Sequence, residues 1–213
     1  MSAGMLTQAK AKLGERTNVR FHQGSATDLP AGDGSVDAVM MNQVAHHLED
    51  PGDDELFDCL GQFVEEAARV LTPGGLFIIN TSSRKQVTDG YWWADLIPRA
   101  VDQVRRRYPP LATIKSELNR CGFDHVRSYV PLDAVLQGRS YLNPEGPLSQ
   151  RWRDGDSTWS LTTEAGHESA LRRVRDHLAD NTMGGYIAER ETLRQSLGQT
   201  TFIAATRGQN GHA

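Results

Sequence analysis

Short apolar segments alternate along the chain with stretches whose apolar residues recur at helical spacing, and this alternation restricts the fold most. The segments predict five strands, over residues 19–24, 36–42, 76–80, 126–130 and 201–206. The helical spacing predicts helices around residues 5–13, 56–71, 111–121, 169–180 and 186–197. Strands that alternate with helices favour an α/β fold with a mostly parallel sheet, because the helices cover the faces of such a sheet.

The strand predicted over 36–42 is almost continuously apolar, which is typical of a strand covered on both faces. Asp53 or Asp54 is the expected N-cap of the helix that follows this strand. A Thr-Pro-Gly-Gly sequence at 72–75 is expected to end that helix before the next strand begins at residue 76.

A long segment separates the last two predicted strands, and its length of about 70 residues is too great for a simple loop. Since it contains two helical stripes, we predict a mostly helical cap at 132–200. This cap is inserted before the last strand of an α/β domain made of residues 1–131 and 201–207, and it is expected to lie over the carboxyl ends of the strands. Six aromatic residues either line an apolar substrate pocket or anchor the cap, and anchoring is the preferred interpretation: Tyr91, Trp92, Trp93 and the cap's Tyr141, Trp152 and Trp159.

Length and charge exclude several classes of protein. The chain has 213 residues and a formal net charge of −4, and its densest basic run, at 105–107, is small for a nucleic-acid-binding domain. Its apolar runs are far shorter than the roughly 20 residues that a membrane-spanning helix needs. The first residues lack the apolar core of a signal peptide. We therefore expect a cytoplasmic protein that binds neither nucleic acid nor a membrane.

Polar residues follow several predicted strands, at the edge where open α/β sheets bind their ligands. Four segments carry the pattern: Gly-Ser-Ala-Thr-Asp-Leu-Pro at 24–30, Asp-Gly-Ser-Val-Asp-Ala-Val at 33–39, Val-Ala-His-His-Leu at 44–48 and Arg-Val-Leu-Thr-Pro-Gly-Gly-Leu-Phe at 69–77. In this order they resemble the class I S-adenosylmethionine-dependent methyltransferases of the UbiE-like, or type 11, group. The resemblance covers residues 2–131 and the closing strand. It implies a Rossmann-like sheet and S-adenosylmethionine as the cofactor.

The sequence departs from this family at its start. No GxGxG turn follows a predicted strand, and the family's ribose-binding carboxylate has no counterpart. The strand order of the family is 3-2-1-4-5-7-6, so the resemblance implies an N-terminally incomplete sheet that lacks the first two strands. The strand at 36–42 is then left with an open edge. Three explanations stay open: a fragment or mis-started reading frame, one half of a split enzyme, or a closed-up sheet whose function has changed.

The resemblance also implies roles for individual residues in binding the cofactor. Ser25 and Ala26 match positions beside the adenine ring, and Asp28 is the nearest acid that substitutes for the family's carboxylate there. Met5 matches a position that packs on the ring, and Asn42 ends the strand that faces the methionine moiety. The structural alternatives are a turn cap for Asp28, core packing for Met5 and strand-end hydrogen bonding for Asn42.

Two adjacent histidines, His46 and His47, are the candidates for a catalytic base. The imidazole pKa of about 6.5 suits proton removal near neutrality, and packing is the alternative role. The nearby acids Glu49, Asp50 and Asp53 do not combine with them into the spacing of a metal site, so no metal is predicted.

The function implied by the resemblance is S-adenosylmethionine-dependent methyl transfer to a small-molecule acceptor. Such a transferase aligns the acceptor with the methyl group and needs no protein nucleophile. Because two cofactor contacts are missing, we expect this chain alone to bind the cofactor weakly or not at all, with impaired activity. The alternative function is a non-catalytic, methyltransferase-like interaction module. Besides a substrate, the expected partners are a missing N-terminal segment or a second copy of the chain. The acceptor atom is left open.

Overall fold

A computed structural model describes residues 3–14, 16, 18–48 and 56–209. The α-helices are α1 Ala3–Leu13, α2 Asp58–Val70, α3 Arg84–Asp89, α4 Pro98–Arg107, α5 Leu111–Arg120, α6 Gln150–Arg153, α7 Glu164–Ala179 and α8 Met183–Leu197. The strands are β1 Val36–Asn42, β2 Leu71–Thr81, β3 Phe123–Tyr129 and β4 Thr201–Arg207. Short 3-10 helices cover Ala45–His47, Ala94–Leu96, Gly138–Ser140, Gly146–Leu148 and Ser157–Leu161.

The four strands form one open sheet in the order β1-β2-β4-β3. β1 runs parallel to β2, whereas β4 is antiparallel to both of its neighbours, so β1, β2 and β3 share one direction. This order is the 4-5-7-6 part of the strand order implied by the sequence. The predicted Rossmann-like α/β fold is therefore confirmed, while the absence of the family's first two strands stays a prediction.

Residues 19–24, predicted as a strand, form coil in the structure, and that prediction is wrong. Only an isolated bridge between Ser25 and Asp28 follows them. The segment after this bridge is held by a side chain, because the Leu29 amide donates to Glu66 Oε2 at 2.9 Å. Alternation of apolar and polar residues permits a strand, but a strand also needs a neighbouring backbone with which to form hydrogen bonds.

β1 is less covered than its apolar sequence predicts. Met41 is buried in the sheet core, whereas the side chain of Met40, which points to the opposite face, is 56% exposed. The prediction that this strand is covered on both faces is therefore wrong. Among the described residues β1 pairs with β2 alone, and its other edge carries no strand.

β2 begins immediately after α2, earlier than predicted. The Thr-Pro-Gly-Gly sequence lies inside β2 as an irregularity, since Val36 pairs with Leu71 and Ala38 pairs with Leu76. Gly74 makes this possible with a φ of 79°. The start of α2 also differs from the prediction, because Asp58 is its first residue and Phe57 is its N-cap. The predicted N-caps, Asp53 and Asp54, lie outside the described residues.

Two hydrophobic cores organise the chain. One lies between the sheet and helices α2 and α5, with Leu60, Val64 and Ile79 fully buried. The other is helical and joins residues 87–108 to residues 141–187. Trp152 and Trp159 are 8% and 2% exposed within it, so both pack in this core, while the preference for anchoring over pocket lining stays a prediction. The boundaries predicted for the α/β domain and the cap stay predictions.

Buried amide side chains connect the two cores. Gln86 on α3 donates to the carbonyls of Leu197 and Thr200, at 3.0 and 3.1 Å. Gln199 donates to the Gly90 carbonyl at 2.9 Å and accepts from the Leu136 amide at 2.8 Å. Both glutamines thereby fix the end of α8, the start of β4 and the helical core in one arrangement. None of the described helices combines the length and the apolar character needed to cross a membrane.

Candidate functional site

A network of polar side chains lies at the carboxyl ends of β1 and β2. The Asn80 amide donates to Asn42 Oδ1 at 2.7 Å, and the Gln43 amide donates to Thr200 Oγ1 at 2.8 Å. The Thr200 hydroxyl also contacts Asn80 Oδ1, so the four side chains are linked. Gln43 adopts a φ of 51°, in the left-handed region that costs a non-glycine residue energy. The chain therefore turns sharply away from the sheet directly after β1.

Beyond this turn lies a cavity of about 320 Å³. One wall comes from the 3-10 helix Ala45–His47, a second from the segment 87–108 and a third from residues 155–158. The polar and aromatic residues that line it include Gln43, His46, Tyr91, Trp93, Tyr108 and Asp156. The cavity thus joins the carboxyl edge of the sheet to the helical core.

His46 is the most buried polar side chain of the cavity wall, with 6% exposure. Its ring stacks on Tyr108 with centroids 4.2 Å apart and planes at 13°, and its Nε2 lies 3.4 Å from the Tyr108 hydroxyl. Burial, with smaller effects from His47 and Arg107, lowers the pKa of His46 to about 3. His46 is therefore neutral at neutral pH, and its buried Nδ1 has no hydrogen-bond partner among the described residues.

Tyr108 and His47 complete this part of the wall. Burial and then the charge of Asp156 raise the pKa of Tyr108, so its phenol stays protonated. His47 is exposed, and burial and Arg107 lower its pKa. A base with a pKa as low as that of His46 removes protons poorly near neutrality. Of the two predicted candidates, His47 is thus better suited to accept a proton.

Asp156 is the carboxylate of the cavity. Its Oδ1 accepts from the Thr158 amide at 2.9 Å and caps the 3-10 helix Ser157–Leu161. Among the described residues it forms no salt bridge with a Lys or Arg side chain. After burial, its charge is the next cause that raises the pKa of Tyr91 well above the usual value. A negative charge therefore lies close to two aromatic rings of the cavity.

The predicted cofactor-binding residues lie in three places. Ser25, Ala26 and Asp28 share one turn, in which Ser25 Oγ lies 2.8 Å from Thr27 Oγ1 and Ala26 packs against the sheet core. Met5 is 66% exposed on α1. Asn42 alone belongs to the hydrogen-bonded network at the cavity, so the assignment of all five to one cofactor site stays a prediction.

Sequence reasoning missed part of the site. Tyr108 and Asp156 were not singled out, because each lies far along the chain from His46 and no local spacing connects them. The signal that identified Asn42 and the two histidines was their position after a strand. The acids considered with these histidines, Glu49, Asp50 and Asp53, lie outside the described residues.

Comparisons with known proteins agree with this fold. Residues 1–79 match the family model of the type 11 methyltransferase domain. A Mycolicibacterium smegmatis protein assigned as an S-adenosylmethionine-dependent methyltransferase is 39% identical over 72 residues, which are 34% of this chain and 24% of that relative. The match thus spans about a quarter of the relative's length.

Solved structures extend the likeness over most of the chain. One of these structures is a crystal structure of an Anabaena variabilis protein, which is assigned as a methyltransferase from an antibiotic biosynthesis pathway. It superposes with a TM-score of 0.70 at 21% identity, and the match covers 90% of this chain and 74% of that chain. A crystal structure of a Bacillus halodurans protein assigned as a methyltransferase superposes with a TM-score of 0.52 at 16% identity and covers 98% of this chain and 80% of that chain. These matches support the resemblance: residues 1–79 match the model of the type 11 methyltransferase domain, and the chain shares its Rossmann-like α/β fold with solved methyltransferase structures.

Proposed function

We propose that this chain serves S-adenosylmethionine-dependent methyl transfer to a small organic acceptor bound in the cavity beside β1. The observation that carries the proposal is the position of this cavity at the carboxyl edge of an open α/β sheet, where such folds bind ligands. Its volume of about 320 Å³ and its mixed lining of aromatic, aliphatic and polar side chains suit a small organic molecule. The matches to methyltransferases support the same reaction.

The predicted cofactor residues have suitable chemistry for S-adenosylmethionine. The exposed oxygens of Ser25 and Asp28 are able to accept from an adenine amino group, and the Asn42 amide is able to bond a polar group of the methionine moiety. When bound, S-adenosylmethionine supplies a methyl group that is electrophilic because it is attached to a sulfonium. Ser25, Ala26, Asp28 and Met5 would hold the adenosine part, and Asn42 would hold the end next to the cavity.

The cavity residues position the acceptor. Stacked against Tyr108, the neutral His46 presents a fixed ring that orients an acceptor by hydrogen bonding and shields it from water. His47, at the exposed side, takes up a proton that the acceptor releases. Alignment and exclusion of water are the main contributions to such a transfer, so no nucleophile of the protein is needed.

Binding of S-adenosylhomocysteine to the full chain tests the cofactor part of this proposal. We expect saturable but weak binding in ligand-observed NMR, which Ser25→Arg abolishes because the long cation fills the adenine position. Ser128→Arg is the matched control, since Ser128 is an exposed serine on β3, at the opposite edge of the sheet. Transfer of a tritiated methyl group to small-molecule acceptors then tests the reaction.

Two outcomes would contradict the proposal. If no saturable binding occurs at millimolar ligand, this chain alone does not hold the cofactor, which agrees with the expectation from sequence but contradicts the proposed activity of this chain, and the non-catalytic interaction module becomes the better assignment. If Ser25→Arg binds as well as the unchanged chain, the adenine position is elsewhere. Micromolar affinity would show instead that the expectation of weak binding is wrong.

A further inference from the structure

We propose that the acceptor bound in this cavity is a small organic amine, held as an ammonium cation between the carboxylate of Asp156 and the rings of Tyr91, Trp93 and Tyr108. This inference rests on the proposed methyl transfer and names the class of its acceptor.

The charge of the cavity favours a cation. Among the residues that the structure describes, Asp156 is the one acidic residue in the cavity lining, and no Lys or Arg lines it. The two histidines do not supply positive charge at neutral pH, because burial lowers the pKa of His46 to about 3 and also lowers that of His47. Asp156 has no salt-bridge partner among the described residues, so a bound ammonium group would provide its counter-charge.

The rings around Asp156 suit the same group. Tyr91 and Trp93 have centroids 5.0 Å apart, and both line the cavity together with Tyr108. The faces of such rings attract ammonium groups, and this attraction strengthens when the cation is removed from water. An anion such as a phosphate or a carboxylate would instead be repelled by Asp156 and by the ring faces.

The rings are fixed before any ligand binds. Trp93 donates from its indole nitrogen to Gln137 Oε1 at 2.9 Å, and Tyr108 stacks on His46. The cavity wall also contains the apolar side chains of Val101, Val104 and Leu136. A preorganised site of this kind loses little conformational entropy on binding, and its apolar wall suits the hydrocarbon body of an amine.

Methyl transfer to an amine is consistent with this site. The ammonium first releases a proton to His47, at the exposed side of the cavity. The nitrogen lone pair then forms the N–C bond while the S–C bond breaks and its electron pair stays on sulfur. The product is again an ammonium cation, so Asp156 faces a positive charge before and after the transfer.

The experiment compares a cation with its neutral isostere, using the full chain without cofactor. Choline and 3,3-dimethylbutan-1-ol have nearly the same shape and differ in charge. NMR titration should give a preference of about tenfold for choline, as expected for a partly desolvated cation beside aromatic rings. Asp156→Asn should remove most of this preference, since asparagine retains the cap to Thr158 but not the charge. Asp154→Asn should retain it, because Asp154 bonds Gln150 and does not line this cavity.

A second variant keeps the test decisive if Asp156→Asn alters the local fold. Tyr91→Leu removes a ring but no charge, and it should weaken choline binding several-fold while leaving the isostere unchanged. Equal binding of both probes to the unchanged chain would overturn the inference, and so would an unchanged preference in Asp156→Asn. In that case the positive charge of Arg107, which lies near the histidines, would have a greater effect on ligands in the cavity than the negative charge of Asp156.

Failure of this inference is distinguishable from failure of the proposed function. Methyl transfer to a neutral acceptor, without preference for choline, would leave the methyltransferase assignment intact and exclude an amine. Preference for choline without binding of S-adenosylhomocysteine would support the amine site and reject methyl transfer.

Discussion

Burial of His46 beside Tyr108 couples the candidate site to the stability of the fold. In the folded chain the imidazole remains neutral down to a pH of about 3, whereas in the unfolded chain it takes up a proton near pH 6.5. Between these values the unfolded state therefore binds more protons than the folded state. Stability conferred by the neutral ring is present above pH 6.5 and is lost as the pH falls towards 3.

Replacing His46 with Phe should reduce the acid sensitivity of the protein. Phe keeps a ring against Tyr108 but takes up no proton in either state. For the unchanged chain we expect the unfolding free energy to fall, from pH 6.5 to 3, by up to about 1.4 kcal/mol per pH unit through this residue. Urea unfolding at several pH values measures the slope. His22→Phe, at an exposed position, is the control, and equal slopes in H46F and the unchanged chain would contradict the prediction.

At the scale of single elements, the irregularity in β2 depends on two adjacent glycines. A Cβ at Gly75 would lie 2.8 Å from the Thr72 carbonyl oxygen and 3.2 Å from that of Asp37. Such contacts with backbone atoms are not relieved by a side-chain rotation. The close approach of β1 and β2 at this point therefore requires glycine.

Gly75→Ala should destabilise the protein by about 1–3 kcal/mol, the usual effect of overpacking. Gly184→Ala is the matched control, because no atom lies within 4 Å of its added Cβ and the residue is in α8. At Gly184 alanine should raise the unfolding free energy by at most about 1 kcal/mol, because alanine favours a helix more than glycine does. Chemical denaturation of both variants measures the difference. If Gly75→Ala left the unfolding free energy unchanged, β2 would be able to shift at this point to accommodate the added Cβ.

The open edge of β1 is the element most exposed to association with other chains. Met40 is 56% exposed on a strand that, among the described residues, has a partner on one side only. Exposed apolar edges are templates for pairing with other chains, and a lysine on such a strand blocks this.

Met40→Lys should therefore slow aggregation, measured by light scattering on heating, while the unfolding free energy changes by no more than about 0.5 kcal/mol. Met5→Lys is the control, since Met5 is similarly exposed but lies on a helix. An equal effect of both substitutions would assign the change to net charge rather than to the strand edge.

The elements that could be predicted from sequence are those defined by local pattern. The helices predicted around residues 5–13 and 111–121 are present as α1 and α5, and each ends near a glycine in the left-handed region, Gly14 with a φ of 59° and Gly122 with a φ of 76°. The coil at 19–24 and the exposure of Met40 were not predictable, because each depends on which backbone lies alongside. The same limit applies to the site: Asn42 follows from its place after a strand, whereas Asp156 reaches the cavity only through tertiary packing.

At the scale of the whole molecule, Gln86 and Gln199 determine whether the two cores unfold together. Both side chains are buried: Gln86 bonds α3 to the carbonyls of Leu197 and Thr200, and Gln199, just before β4, bonds the backbone of Gly90 and Leu136. Buried amides with satisfied partners specify one arrangement, since any displacement leaves polar groups unpaired. All four tryptophans lie in the helical core, so their fluorescence reports on that core alone.

Gln199→Leu should separate the unfolding of the two cores. It leaves the Leu136 amide without its partner, at a cost of about 1–3 kcal/mol. In the unchanged chain the tryptophan transition should coincide with loss of hydrogen-exchange protection in β2 and β4. In the variant the tryptophan transition should occur at lower denaturant. The control is Gln103→Leu, at an exposed position on α4, in which the tryptophan transition and the loss of exchange protection should still coincide. If the two also coincide in Gln199→Leu, the prediction is wrong.

The strand order has a consequence for synthesis on the ribosome. β4 lies between β2 and β3 in the sheet but follows both of them, and the whole helical core, in the chain. During translation, the edges of β2 and β3 that pair with β4 therefore have no hydrogen-bond partner until Thr201–Arg207 leaves the exit tunnel of the ribosome. Sheets that close through such distant segments fold slowly, and their waiting edges are prone to misassembly. During synthesis, these two edges are thus the part of the sheet most prone to wrong pairing until β4 is available.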